Sequence, residues 1–231
     1  MVADRTHELE KANKRLREID SAKSEFLSNT AHELKTPLSA MRTTLKLMST
    51  GAVGVMNEDQ EEIITDCVSG IDRLFRMISS LLSLARIEAG IMDMSLDDLV
   101  VREHVEDVAK LLKAKIAEKK QQLSLEIEDG KIVTDADKLT QILINLIGNA
   151  VKYTPDEGKI TVYAMKENSQ WKFIVEDTGP GMNKEQLQQL FVRFRRLKEI
   201  SKDHIAGTGL GLAITRKLVQ FLGGEIFVES E

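Results

Sequence analysis

The amino-acid sequence predicts an α + α/β protein: an antiparallel helical hairpin followed by a two-layer α/β sandwich. Three observations carry this. Apolar residues follow a heptad pattern from Leu9 to Ala85, the pattern stops near Gly90, and beyond it amphipathic helices alternate with short period-two strands. At roughly 100–200 residues per domain, a chain of 231 residues holds one or two domains. With 42% hydrophobic and 30% charged residues it has an ordinary globular composition. Aromatics make up only 4%, so any large core rests on Leu, Ile, Val and Met.

The first seam is Leu9, Ala12, Leu16, Ile19 and Phe26, with Lys23 filling one position. A second begins one residue out of step, with Leu27, Ala31, Leu34, Leu38, Met41, Leu45 and Met48 spaced alternately four and three apart. Ser49 to Asn57, with Gly51 and Gly54, reads as a loop. A third seam follows in Ile64, Cys67, Ile71, Leu74, Ile78, Leu81 and Ala85. One hairpin buries only a narrow apolar face, so pairing into a four-helix bundle in a homodimer is expected. The slip at Phe26–Leu27 is either a place where helix rotation transmits a signal or a static skip.

Glu103 to Lys120 reads as one amphipathic helix, and Leu123, Leu125 and Ile127 alternate as a strand. Asp135 is placed to cap a helix running to about Val151. Ile160, Val162 and Ala164 form a strand, and Trp171, Phe173 and Val175 another, with Lys166 to Gln170 turning between them. Then come a short helix at Lys184 to Leu190, a glycine-rich loop, a helix from Leu210 to Leu222 and a last strand, Glu225 to Glu229.

Charge and cysteine content narrow the function. The 32 basic and 37 acidic residues leave a net charge of −5, a poor basis for salt-driven nucleic-acid binding. The lone Cys67 rules out an intramolecular disulfide framework and suits a reducing, cytoplasmic compartment. Met1 to Lys23 lacks a signal peptide's apolar core. Leu139 to Val151 is too short to span a bilayer, which takes about 20 apolar residues, so no membrane contact is expected of this segment.

Four clusters look chemical. In His32-Glu33-Leu34-Lys35-Thr36-Pro37 the heptad register turns His32, Glu33 and Thr36 away from the seam, and Pro37 should bend the helix just beyond the histidine. A zinc reading fails because Thr36 stands where a second histidine is needed. Asn145, Asn149, Lys152 and Tyr153 form one polar helical stripe, suited to phosphate and Mg²⁺ through hard oxygens and an ammonium, or simply solvated. Asp177-Thr178-Gly179-Pro180-Gly181 sets a carboxylate at a strand end, able to accept from a base amine, beside glycines that let a ligand approach; it also reads as an ordinary turn. Gly207-Thr208-Gly209-Leu210-Gly211-Leu212 opens a helix with backbone amides that suit an anion, yet is neither a P-loop nor a Rossmann fingerprint.

In order and spacing the four resemble the sensor histidine kinases of two-component systems, over nearly the whole chain. Phe26 to Leu38 looks like the H box, with His32 at the phosphoacceptor position. Asn145 to Pro155 looks like the N box, DTGPG is similar to the G1 box, GTGLGL to the G2 box, and Phe191 to Arg196 stands at the F box. The resemblance implies a signalling coiled-coil helix (1–22), a dimerisation and histidine-phosphotransfer hairpin (23–92) and a Bergerat-type ATP-binding domain (97–231).

It further implies ATP with its adenine amine on Asp177, Mg²⁺ on Asn149 with Asn145 alongside, and phosphates held by Lys152, Tyr153 and the amides around Gly207, Thr208, Gly209, Leu210 and Gly211. Gly179 and Gly181 shape the adenine end. Phe191 to Ala206 forms a lid carrying Arg193, Arg195, Arg196, Lys198 and Lys202. His32 attacks the γ-phosphate, Glu33 orients it or takes its proton, and the group passes to an aspartate of a response regulator receiver domain. Thr36 orients a water for dephosphorylating that receiver. The family continues beyond GGEIFVESE with another glycine and at least one strand, so either the chain is truncated at its C-terminus or its sheet lacks an edge; a sensor upstream of Leu9 is expected as well. The alternatives are an ATP-binding scaffold without autokinase activity and a plain dimerisation coiled coil.

Overall fold

The computed structural model describes residues 2–195 and 209–230. The chain divides into two compact units, Met1–Met92 and Asp93–Glu231.

The first unit is a hairpin of α1, Val2–Ser49, and α2, Glu58–Glu88. The helix α1 runs unbroken through Pro37, whose missing N–H leaves the Glu33 carbonyl without its usual donor. α2 opens with a capping box: Asn57 accepts from the Gln60 N–H while the Gln60 side chain accepts from the Asn57 N–H. The Arg42 guanidinium joins the two helices by an ion pair to Asp72 at 2.9 Å. The side chains of Leu9, Ala12, Leu16, Lys23 and Leu27 lie outside the described residues.

The heptad seam splits in two. Ala31, Ile64, Ile71 and Ala85 are buried, and Leu38, Leu45 and Ile78 half-buried. Leu34, Met41, Met48, Cys67, Leu74 and Leu81 are exposed. On each helix the two sets alternate with a period of seven, so one edge of each stripe packs inside the hairpin and the other faces outward.

The second unit is a two-layer α/β sandwich. Its strands are β1, Asp97–Val100; β2, Gln122–Ile127; β3, Lys131–Thr134; β4, Lys159–Glu167; and β5, Gln170–Asp177. Its helices are α3, Val101–Glu118; α4, Ala136–Tyr153; α5, Lys184–Gln189; and α6, Gly211–Phe221. β2 and β4 are parallel, β4 and β5 antiparallel, in the order β2-β4-β5; β1 and β3 pair separately. A two-residue turn, Asn168-Ser169, both at positive φ, closes the β4–β5 hairpin, and such turns match the right-handed twist of the strands.

One face of the sheet packs on α3 and α4. Val105, Val108 and Leu112 meet Leu143 and Ile147 over Ile160, Val162 and Ala164, with Trp171, Phe173 and Val175 at the margin. Asp135 caps α4 by accepting from the Lys138 N–H at 3.0 Å. The strand pair β1 and β3 escapes the sequence reading, because four-residue elements are too short to display a period. Glu225 to Glu229, expected as a strand, is none: its backbone finds no ladder among the described residues, and a short apolar run without a partner does not make a strand. The Met182 N–H does donate to Ser230 Oγ at 2.8 Å.

Candidate functional site

In the first unit His32, Glu33 and Thr36 are all exposed, next to the buried Ala31. Thr36 Oγ1 donates to the His32 carbonyl at 3.2 Å, a side-chain bond in the turn where Pro37 removes a backbone donor. The imidazole thus stands on a continuous helix, exposed to solvent.

In the second unit, α4 carries the polar stripe. Asn149 is half-buried, and no hydrogen bond among the described residues holds its carboxamide. The Lys152 ammonium lies 3.1 Å from the Tyr153 hydroxyl and 4.7 Å from its ring centroid. Asn145 behaves differently: its Nδ2 donates at 2.7 Å to Oγ1 of Thr215, a buried residue of α6.

Two glycine-bearing segments border this stripe. At the end of β5, Asp177 Oδ1 accepts from the Gly179 N–H at 2.8 Å, leaving the exposed carboxylate its second oxygen. A Cβ on Gly179 would stand 3.5 Å from the Tyr153 carbonyl, so the turn holding Gly179 and Gly181 abuts the end of α4. On the other side the carbonyl of Gly209, a residue at φ +69, accepts from the Phe194 N–H at 2.9 Å. The buried Leu210 precedes α6, whose first turn has no side-chain cap, so its N–H groups suit an anion. Any side chain at Gly211 would collide with the Asn145 carboxamide. The expected phosphate contacts Arg196, Gly207 and Thr208 lie outside the described residues.

The donor set fits a nucleotide with Mg²⁺. The open Asn149 carboxamide offers one hard oxygen, and the glycines keep clear the space beside α4 that side chains would fill. Among the described residues no group of three His, Cys, Asp or Glu gathers.

Comparison with known proteins places both units in a family. Residues 22–90 match the His Kinase A (phospho-acceptor) domain, and residues 134–231 match the histidine kinase-, DNA gyrase B-, and HSP90-like ATPase. The chain belongs to the sensor histidine kinases. The circadian input-output histidine kinase CikA of Synechococcus elongatus is 34% identical over 233 residues, covering 99% of this chain and 31% of that protein. The crystal structure of full-length ShkA in complex with AMPPNP is 28% identical, with a TM-score of 0.71, covering 86% of this chain and 41% of the other. The structure of histidine kinase ThkA in complex with response regulator protein TrrA shares the fold at 22% identity and a TM-score of 0.58, over 87% of this chain and 55% of the other. The chain spans about a third of the length of the curated relatives it matches.

The ATPase family and the shared Bergerat fold make the second unit an ATP-binding module. The spacing in the sequence gathers Asn145, Asn149, Lys152 and Tyr153 into one stripe; Thr215 carries no such signal and reads in sequence as one more apolar-face position of α6. Among the described residues no helix is long and apolar enough to cross a membrane.

Proposed function

We propose that this chain transfers the γ-phosphoryl group of ATP to His32 and then to an aspartate of a response regulator receiver domain. The observation that carries the reading lies in the second unit. There the polar stripe of α4 meets the glycine-opened start of α6 through Asn145, with the Asp177 turn abutting its far end.

In this reading Asp177 receives the adenine amine on its free carboxylate oxygen. Lys152, Tyr153 and the amides of Gly209, Leu210 and Gly211 hold the phosphates, together with Gly207, Thr208 and Arg196 of the intervening segment. Asn149 holds Mg²⁺, with Asn145 beside it; when bound, that ion neutralises charge on the phosphate oxygens. A ring nitrogen of His32 forms the P–N bond as the bond from the γ-phosphorus to the β,γ-bridging oxygen breaks, and ADP leaves with that electron pair. Glu33 orients the imidazole or accepts its proton. Thr36 orients a water for dephosphorylating the receiver.

Residues 1–22 serve as a signalling coiled coil, 23–92 as the dimerising phosphotransfer hairpin and 97–231 as the catalytic domain, on the cytoplasmic side. The outward edge of the heptad stripe, Leu34, Met41, Met48, Leu74 and Leu81, supports a homodimer joined as a four-helix bundle.

The test is incubation with γ-labelled ATP and Mg²⁺, followed by acid and alkali treatment. Acid-labile, alkali-stable label is expected, lost in His32→Gln and in Asn149→Ala. Equal labelling of His32→Gln would falsify the phosphoacceptor assignment.

A further inference from the structure

The end of α4 is held by two side chains from outside the motifs. α4 stops at Thr154, which has extended backbone before Pro155 and no left-handed cap, so its last carbonyls need other donors. The Lys119 ammonium supplies three. It lies 3.0 Å from the Val151 carbonyl, 3.1 Å from that of Lys152 and 2.9 Å from that of Thr154. The buried Gln121 points Nε2 at the carbonyls of Val151, Thr154 and Pro155, at 3.1, 2.8 and 3.2 Å. Its Oε1 is buried with no partner among the described residues. The amide keeps that orientation because the reverse would aim oxygen lone pairs at three carbonyls.

The backbone reinforces the grip. The Glu157 N–H donates to the Lys119 carbonyl and the Gln122 N–H to that of Gly158, both at 2.9 Å. The far end of the same loop is tied to the residue after Asp177: the Lys159 N–H donates to Thr178 Oγ1 at 3.0 Å, and the Thr178 N–H to the Lys159 carbonyl at 3.1 Å. The loop that Lys119 and Gln121 anchor therefore sets the separation of two walls, the Lys152-Tyr153 turn and the Asp177 turn.

We propose that Lys119 and Gln121 are positioning residues of the nucleotide site, holding the last turn of α4 in register with the Asp177 turn. The proposal rests on the ATP-binding reading of that site. Both residues precede the 134–231 span matched by the ATPase family. Neither is assigned to touch the nucleotide; they act through Lys152, Tyr153 and Asp177.

The test measures binding of a fluorescent ATP analogue, the KM for ATP and kcat of autophosphorylation, and thermal unfolding, on the whole chain well below its unfolding midpoint. Lys119→Met is expected to raise the analogue's Kd and the KM for ATP about tenfold, as misplacement of binding groups does, while kcat at saturation holds within about twofold. Lys119→Arg, which restores a cationic donor, is expected to recover both. Gln121→Glu, which sets a carboxylate against three carbonyls, should weaken the analogue as Lys119→Met does. An unchanged Kd in Lys119→Met overturns the proposal, whatever its unfolding midpoint. So does a Kd that fails to recover in Lys119→Arg when the unfolding midpoint does. Absence of analogue binding by the unsubstituted chain would instead remove the ATP-binding reading, and it is seen before any variant is made.

Discussion

Asn145 and Thr215, seventy positions apart, meet at 2.7 Å, and this bond ties the polar stripe of α4 to the helix that the glycines of residues 209 and 211 open. Thr215 is buried, so its hydroxyl is worth keeping only if it has a partner, and the Asn145 amide is that partner. Thr215→Val deletes the acceptor and leaves the amide half-buried and unpaired, at a cost of about 1–3 kcal/mol. The expected outcome is a lower midpoint in urea with an unchanged slope, and a KM for ATP raised more than kcat is lowered. A variant as stable as the parent would mean that the bond carries no net free energy.

The outward edge of the hairpin is an apolar stripe that a single charge would disrupt. Leu74→Asp places a carboxylate on the exposed seven-residue stripe and leaves the inward set of Ile64, Ile71 and Ala85 untouched. Light scattering should show a dimer for the parent chain and a monomer for the variant, with helix content retained by circular dichroism. A dimeric Leu74→Asp would move the interface elsewhere.

Thr36 separates two activities of one turn. Its hydroxyl donates to the His32 carbonyl along the helix and is itself exposed, so its loss should leave His32 in place. Thr36→Ala is expected to label from ATP at the parental level while losing most of its phosphatase activity toward a phosphorylated receiver. Unchanged dephosphorylation would remove the role given to Thr36.

His104 makes stability depend on pH near neutrality. Burial on the α3 side holds its imidazole below the ordinary value of about 6.5, with the nearby Asp107 pulling the other way. Its Nε2 lies 3.1 Å from Thr140 Oγ1 of α4. The folded chain therefore binds this proton less readily than the unfolded one. The resulting stability is complete above the ordinary value and is lost as pH falls from there through the lowered folded one. Denaturant midpoints measured between about pH 8 and 5 should fall in the parent and flatten in His104→Gln.

Asp135 acts at lower pH. Burial pushes its carboxyl up, but the N–H groups of Ser95 and Lys138 and the Lys138 ammonium outweigh it, and the net shift is downward. Its contribution is present above the ordinary carboxylate value and is lost as pH falls through the folded one. Asp135→Ala should cost about 1–2 kcal/mol at neutral pH, as loss of a helix N-cap does. The difference from the parent should shrink in acid.

Much of this protein was legible in its sequence because the governing signals are local. Heptad spacing marks long helices, alternation marks β4 and β5, and a carboxylate before an apolar run marks the start of α4. The four motifs are short enough for residue type and spacing to suggest their chemistry before any contact is known. Periodicity places a residue on a face, however, and does not say what the face meets. The seam is continuous in sequence, and only packing divides it into an inward edge at Ala31, Leu38 and Ile71 and an outward edge at Leu34, Met41 and Leu74. Thr215, Lys119 and Gln121 carry no motif, since their partners lie 30 to 70 positions away and the bonds exist only once α3, α4 and α6 have packed. The 225–229 segment shows the converse: Ile226, Phe227 and Val228 make a short apolar run, but a strand is a property of two chain segments and cannot be read from one.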